Sequence, residues 1–263
     1  MGKFDGKYLR GAVGDVIFKK VRGQQVVQGK SKKAKTDQSA ETKKAATVFG
    51  RASNLAAYIR AALNASIGFY DGTMISRLTG EVNQIAHSSL NPESQTFDFT
   101  SAAFSRLNGF EFNATSPVRN QLFVQPQVST TNNLLQIDLP EMQIPKDLKF
   151  HENGSYGVLG FQIALFDLQH GKYNNSQEIQ TTEIKYNYQP AIVPAKQFSF
   201  HTEPGCLYII SIAIQYYEKT FAGNSVVNSK SFNPSAILKA FLTDGVADPS
   251  VSENWQPMDF KTT

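Results

Sequence analysis

The stretch YGVLGFQIALFDL, residues 156–168, decides the fold, because it is almost continuously apolar at its centre and rich in side chains that favour strands. A second stretch of the same kind, CLYIISIAIQYYE, covers residues 206–218. Long apolar runs with β-branched and aromatic residues are typical of central strands buried on both faces. The rest of the chain is expected to pack around these two strands.

Shorter runs of strand-like sequence surround the two central stretches. They are separated by Asn-Pro, Ser-Pro, Asn-Asn and Pro-Gly, which are dipeptides with turn chemistry. Two of the runs are TFDFT at residues 96–100 and GFEFN at residues 109–113. Roughly eight strands at this spacing predict an antiparallel, immunoglobulin-like β-sandwich region over residues 91–245. Residues 246–263 are predicted to be a loop-like C-terminal tail.

A helical pattern precedes this region. Its apolar residues recur at spacings of three and four, which predicts an amphipathic helix from Glu41 to Ile67. These residues are Val48, Phe49, Ala52, Leu55, Ala56, Ile59 and Leu63. A second helix is predicted from Asp71 or Thr73 to about His87. The two helices form a predicted helical hairpin over residues 48–90.

Residues 1–47 form an N-terminal arm of different character. The segments GDVIFKKV and QQVVQ are predicted to pair through the turn Arg22-Gly23 as a β-hairpin. A two-stranded ribbon is only marginally stable alone, so the arm is expected to pair with a neighbouring subunit. The residues predicted to make this subunit contact are Gly11, Gly14, Val16, Phe18, Gly23, Val26 and Val27.

A basic linker follows the hairpin, and it gives the chain an uneven charge. The linker lysines are Lys30, Lys32, Lys33, Lys35, Lys43 and Lys44. Residues 1–47 hold 12 Lys/Arg and 4 Asp/Glu, a net charge of +8, whereas the remaining residues hold 14 and 18, a net charge of −4. This asymmetry favours docking of the arm on an acidic copy of the chain. Nucleic acid is the alternative partner, with Phe4, Tyr8 and Phe18 available to stack on bases.

The sequence contains no recognisable constellation of catalytic or metal-binding residues. The histidines, His87, His151, His170 and His201, are far apart and lack metal-ligand spacing. The single cysteine, Cys206, lies in a strand-like run and is predicted to be a buried, inert thiol. Asp71-Gly72 lacks the alternating carboxylates of a calcium loop. We therefore expect no cofactor, no metal and no enzymatic activity.

The first residues carry charges throughout and lack the apolar core of a secretory signal, and no run reaches the length of a membrane span. These features predict a cytoplasmic protein without membrane insertion. Release by lysis or by a leaderless route would make it extracellular or particle-associated.

The pattern GxxGxVxFxxxxGxxVV, followed by a Lys-rich linker and FGRAS, resembles a family of uncharacterised bacterial proteins, chiefly from Bacteroidetes. It matches Gly11, Gly14, Val16, Phe18, Gly23, Val26, Val27, Phe49 and Arg51, with GFEFN further on. The resemblance implies no activity and no catalytic residues. A weaker resemblance, EPGCLYIISIAI at residues 203–214, is to immunoglobulin-like and fibronectin-type modules, and it implies a corner-tyrosine role for Tyr208.

Together these observations predict an α+β chain in which a β-hairpin arm and two helices precede the sandwich. The expected function is that of a structural subunit of a self-assembling polymer, such as a filament, fibre or virion-like particle. The arm would join copies by strand addition and by charge. The alternatives are a nucleic-acid-binding protein and a surface adhesin or glycan-binding module, the latter favoured by the aromatic-rich strands.

Overall fold

The computed structural model describes residues 2–21, 23–30, 39–131, 134–174, 179–186, 188–248, 254–260 and 262. The chain divides into two compact units, Met1–Ala45 and Ala46–Thr263. Helices occur together with mostly antiparallel strands, so the expected α+β class is confirmed.

The N-terminal unit contains a four-stranded antiparallel sheet in which each strand pairs with the next along the chain. Its strands are β1 (Lys3–Phe4), β2 (Leu9–Val13), β3 (Val16–Val21) and β4 (Gln24–Gly29). The predicted pairing of β3 with β4 is present, with Val21 opposite Gln24. The expectation of a two-stranded arm is wrong, because β1 and β2 precede the hairpin. Strand β2 was not predicted, because Gly11, at φ +96°, interrupts its alternation of side chains.

The first long helix, α1 (Ala40–Ala62), begins after Ser39, whose hydroxyl accepts a hydrogen bond from the Thr42 N–H at 3.2 Å. The predicted helix to Ile67 is interrupted, since α1 ends at Ala62 and a short helix, α2 (Asn64–Ile67), follows it. The Gln162 side chain causes the break. Its amide donates to the Ala62 carbonyl at 2.9 Å and accepts from the Ser66 N–H at 3.0 Å, so it replaces the helical bond between them.

The next helices are α3 (Met74–Ser89) and α4 (Ser101–Phe104), and 3-10 turns cover Ser105–Leu107 and Val118–Asn120. The strands expected at residues 96–100 and 109–113 are wrong, because only Phe97 and Glu111 pair there, in isolated bridges. The phenylalanines of these segments pack in a core cluster with α1 and α3. Their alternation therefore reflects the anchoring of loops rather than a strand.

A central sheet is built on the two stretches that the sequence analysis selected. They form β8 (Tyr156–Asp167) and β13 (Leu207–Thr220), antiparallel from Tyr156 opposite Tyr217 to Phe166 opposite Leu207. Outside β8 lie β9 (Lys172–Asn174) and β10 (Ile179–Lys185), and outside β13 lie β14 (Gly223–Val226) and β15 (Ser235–Leu242). The tail expected to be a loop contains β16 (Trp255–Pro257), which pairs with β9, and Phe260 is buried nearby in the helical core cluster.

A second layer of strands packs on one face of the central sheet. It consists of β5 (Gln127–Thr131), β6 (Leu134–Leu139) and β12 (Lys196–His201), together with the pair β7 (Met142–Ile144) and β11 (Ala191–Val193). Alternate residues of β6, such as Leu135 and Ile137, share a core cluster with Leu159 and Phe161 of β8. The opposite face of the sheet carries residues such as Phe166, which pack against the helices.

Lysine side chains bridge both seams between these two layers. Lys196 of β12 donates to the Thr181 carbonyl of β10 at 2.8 Å, and Lys239 of β15 donates to the Val128 carbonyl of β5 at 3.2 Å. Gln180 also donates to the Ser199 carbonyl at 2.8 Å. The charged side chains thus occupy edge carbonyls that another strand would otherwise bind.

Candidate interaction surfaces

The glycines predicted for the arm lie where the backbone requires them. Gly14 and Gly23 occupy the turns before and after β3, at φ +59° and +82°. Gly11, also at positive φ, lies opposite Phe18 in the register of β2 and β3. Residues other than glycine are strained at these angles. The glycines therefore shape the turns and strands of the sheet.

The sheet of β2, β3 and β4 carries apolar side chains on both faces, among lysines and glutamines. Directly opposed residues share a face, so the register defines two sets. The arm front face consists of Val13, Val16, Phe18 and Val27. The arm back face consists of Ala12, Ile17, Val21 and Val26. The predicted contact residues Val16, Phe18 and Val27 are thus brought together, whereas Val26 lies on the other side.

These apolar side chains are open to solvent. Val13 is 50% exposed, Val27 55% and Phe4 in β1 67%. Among the described residues of β1 to β4, none is buried. The sheet therefore has two apolar faces but no core between layers.

This sheet has no core, and contacts of polar side chains link its strands instead. The Tyr8 hydroxyl donates to the Gly23 carbonyl at 2.6 Å, and the Lys20 ammonium lies 4.3 Å from the centre of the Tyr8 ring. Gln25 accepts from the Leu9 N–H at 2.8 Å and donates to the Leu9 carbonyl at 3.0 Å, so it ties β4 to β2 across β3. Exposed hydrogen bonds of this kind each contribute only about 1 kcal/mol.

Half of the predicted basic linker falls within the described residues. Lys30 follows β4, and Lys43 and Lys44 are exposed in the first turns of α1. Lys32, Lys33 and Lys35 lie outside the described residues. The structure thus places the described lysines at the two ends of the linker.

Cys206 and His170 are two residues of the second unit whose side chains carry reactive groups. Cys206 is fully buried, and this burial, followed by the nearby carboxylates Glu203 and Asp167, raises the pKa of its thiol to about 12. A thiol in this state is a poor nucleophile, and the prediction that Cys206 is buried is confirmed. His170 is bound to the Asp167 carboxylate at 2.6 Å, within a tight turn after β8. Within the described ranges, no group of three or more His, Cys, Asp or Glu is placed to hold a metal ion.

Asp71 is a structural clamp. Its carboxylate pairs with Arg77 at 2.6 Å and accepts from the Thr73 N–H at 2.6 Å and the Ala114 N–H at 2.9 Å. Burial opposes ionisation, but these hydrogen bonds outweigh it and hold the pKa of Asp71 well below its usual value. Arg77 also donates to the Glu111 carbonyl at 2.9 Å. The Asp71-Gly72 turn is therefore anchored by a cation of the chain itself.

A cleft of about 480 Å³ beside this clamp contains three arginines but is not a strong anion site. Arg77 is paired with Asp71, and Arg106 is paired with Glu81 at 3.1 Å. Arg119 is attracted to the nearby Glu111 carboxylate. The positive charges are thus largely neutralised by the protein.

Part of the central sheet is not covered by the helices. The Gln162 and Ser211 side chains mark the border, since both bind Ser66 just before the helical layer ends at Gly68. Beyond this border the register places three residues from each of three strands on one surface, which we call the open face. These residues are Tyr156, Val158 and Gly160 of β8, Thr181, Glu183 and Lys185 of β10, and Ala213, Gln215 and Tyr217 of β13, and Ile179 lies opposite Gln162 at the border.

The open face is apolar and shallow at its centre. Ile179 is 41% exposed, and Phe69, 44% exposed, stands beside it at the end of the helical layer. A cleft of about 210 Å³ lies between Phe69 and the strands. Sequence reasoning missed this surface, because Gly160 and Ala213 become neighbours only through the register. The glycines that interrupt the apolar run of β8 were the available signal.

Comparison of the chain with family models, curated proteins and solved structures finds no match. None of the helices in the described parts of the chain combines the length and apolarity of a membrane span.

Proposed function

We propose that this chain is a non-enzymatic structural subunit of a self-assembling polymer, such as a filament, fibre or virion-like particle, and that its N-terminal arm joins neighbouring copies. The observation that carries this proposal is the four-stranded sheet of the arm, which exposes apolar side chains on both faces. A small sheet without a second layer buries too little apolar surface for independent stability. Such a sheet gains stability when a partner covers it.

Charge supports a copy of the chain as the partner. Residues 1–47 carry a net charge of +8 and the remaining residues −4, so the arm is attracted to the body of another copy. The outer edge of β4 adds a means of attachment, because in the described part of the chain β4 pairs with β3 alone. Strand addition through this edge and packing through the arm faces are compatible with the same role.

The finer fold proposal is an immunoglobulin-like sandwich formed by the central sheet and the second layer. Shared burial of β6 and β8 residues in one core cluster supports it. Tyr208 supports it as well, because its hydroxyl accepts a hydrogen bond from the Glu203 N–H, five residues upstream. Corner tyrosines of such modules bond to the backbone in the same manner.

Deletion of residues 1–38 tests the assembly role. Both core clusters lie within residues 48–260, so the shortened chain retains its cores. We expect light scattering to show masses well above the 29.1 kDa of one chain for the full-length protein, and a monomer for the deletion. A full-length protein that stays a monodisperse monomer at high concentration would refute the proposal.

Nucleic acid binding is the second candidate, favoured by the arm lysines and by the exposed ring of Phe4. Tyr8 is less available for stacking, since Lys20 lies over its ring and its hydroxyl is bound. Binding through phosphates would weaken steeply as salt rises. Absence of retention on DNA and RNA at low salt would exclude this function.

A further inference from the structure

We infer that the open face is the surface on which the arm of a second copy docks. This inference rests on the proposed function and names the receiving surface for it. It begins from the unequal cover of the central sheet, whose one face is packed by strands while the helices end at the Gln162 and Ser211 border on the other.

The shape of the open face suits a second sheet. Its central residues Gly160 and Ala213 are small and lie opposite each other, so the backbone of another layer can approach closely. A Cβ added at Gly160 would already lie 3.4 Å from the Thr181 methyl group. Sheets pack about 10 Å apart with side chains filling the space between them. The medium-sized valines of the arm front face are suited to that space.

Lysine side chains occupy two of the strand edges in the second unit. Lys196 binds the Thr181 carbonyl on the β10 edge, and Lys239 binds the Val128 carbonyl on the β5 edge. An incoming strand would have to displace these side chains before it could pair there. The open face carries no such obstacle.

The overall charges of the two regions favour the arm as the occupant. The open face itself carries one carboxylate and one ammonium group, those of the exposed Glu183 and Lys185, and Glu183 interacts with the Tyr156 hydroxyl. The arm front face has Lys20 next to its apolar residues, since Lys20 lies two residues beyond Phe18 on the same strand. The net charges of the arm and of the rest of the chain, +8 and −4, act in the same direction. The arm therefore combines an apolar face with a net charge opposite to that of the rest of the chain.

The proposed contact joins two different surfaces, so one variant can be altered in the open face alone and another in the arm alone. Thr181→Lys places a cation on the open face but leaves the arm intact. Thr181 is exposed, so this variant is expected to fold. The matched control is Thr131→Lys, at an exposed threonine of β5 in the other layer. The chain of residues 39–263 has the converse defect, because it keeps the open face and lacks the arm sheet.

Sedimentation velocity on these proteins tests the inference, with circular dichroism melts to confirm folding. We expect Thr131→Lys to assemble like the wild type, while Thr181→Lys and the shortened chain each remain monomers. A mixture of the two monomers is expected to form a complex with one copy of each. Wild-type assembly by Thr181→Lys, or a mixture that does not pair, would overturn the open face as the receptor while leaving the assembly role standing.

A monomeric wild type would instead refute the assembly role. In that case, hydrogen exchange of β3 and β4 tests separately whether the open face binds the arm. If the amides of β3 and β4 are protected from exchange in the monomeric wild type but not in Thr181→Lys, the chain binds its own arm. That result would overturn docking of a second copy. Arm exchange that is unaffected by Thr181→Lys would show that the open face is not an arm site.

Discussion

Single residues set the stability of the second unit through buried polar contacts. Tyr208, near the start of β13, is fully buried, and its hydroxyl accepts a hydrogen bond from the Glu203 N–H. Tyr208→Phe removes the acceptor and leaves this N–H without its partner, so we expect the free energy of unfolding to fall by about 1–3 kcal/mol. Urea denaturation measures the change. The control, Tyr70→Phe at an exposed ring, should differ from wild type by less than about 0.5 kcal/mol.

Asp71 is expected to make the stability of the protein sensitive to acid. Its folded-state pKa lies below the ordinary value of 3.8, so the unfolded chain binds this proton more strongly. The contribution of Asp71 is therefore complete above about pH 4 and is lost as the pH falls through the folded pKa. Asp71→Asn should lower the free energy of unfolding at pH 7 by about 1–3 kcal/mol, because it weakens the bonds to Arg77 and Ala114.

Denaturation curves between pH 2.5 and pH 7 test this expectation. The difference between wild type and Asp71→Asn should shrink towards the acid end of the range. A difference that is constant over the whole range would show that Asp71 does not titrate as proposed.

At this scale the sequence revealed residue types but not their partners. The burial of Cys206 could be predicted, because a lone cysteine in an apolar strand is normally buried. Asp71-Gly72 lacks the pattern of a calcium loop, but the sequence did not reveal the partners of Asp71, which are Arg77, six residues away, and Ala114, which is distant in sequence. Such contacts depend on how loops meet in space, and local patterns do not contain that information.

Among the elements, the arm sheet depends on its turns. Gly23 lies at φ +82° with open space around it, so Gly23→Ala meets no clash but adopts a conformation that costs about 1 kcal/mol. A sheet without a core has little stability to lose, and we expect amide exchange of β3 and β4 to accelerate several-fold. Gly29→Ala is the matched control, since Gly29 also has open space but no positive φ. Equal exchange in the two variants would contradict the role of the turn.

The elements that sequence patterns located best were long and regular. The hairpin of β3 and β4, the start of α1 and the strands β8 and β13 were predicted, because periodicity and turn residues are local signals. The break after Ala62 could not be predicted, since it is made by Gln162, a hundred positions further along the chain. The false strands at residues 96–100 and 109–113 arose because phenylalanines that anchor loops repeat at the same spacing as strand residues.

For the whole molecule, the uneven charge predicts a response to salt. If copies associate through a basic arm and an acidic remainder of the chain, screening weakens their attraction progressively, because the Debye length shrinks from about 10 Å at 0.1 M salt to about 3 Å at 1 M. We expect the assembled fraction in sedimentation velocity to fall between 50 mM and 500 mM NaCl. It should not vanish, because the apolar contact persists in salt. An assembled fraction that is independent of salt would show that charge does not contribute.

The layers of the second unit could not be predicted from the sequence. Alternation shows that a strand has a buried side, but it does not show whether helices or strands provide the cover. Phe166 and Leu159 belong to one strand, yet they lie in different core clusters. The open face arises because the helical layer ends before the sheet does, and neither length is related to the other in the sequence.

The lysines at the two seams have a further consequence for growth. A protein that polymerises must also avoid sticking side by side, since sheets that join at their edges form tangled aggregates. Lys196 and Lys239 block this route at β10 and β5. If copies join through the arm and the open face, each copy contributes two unlike surfaces, so the assembly would either grow as an open row with two different ends or close into a ring.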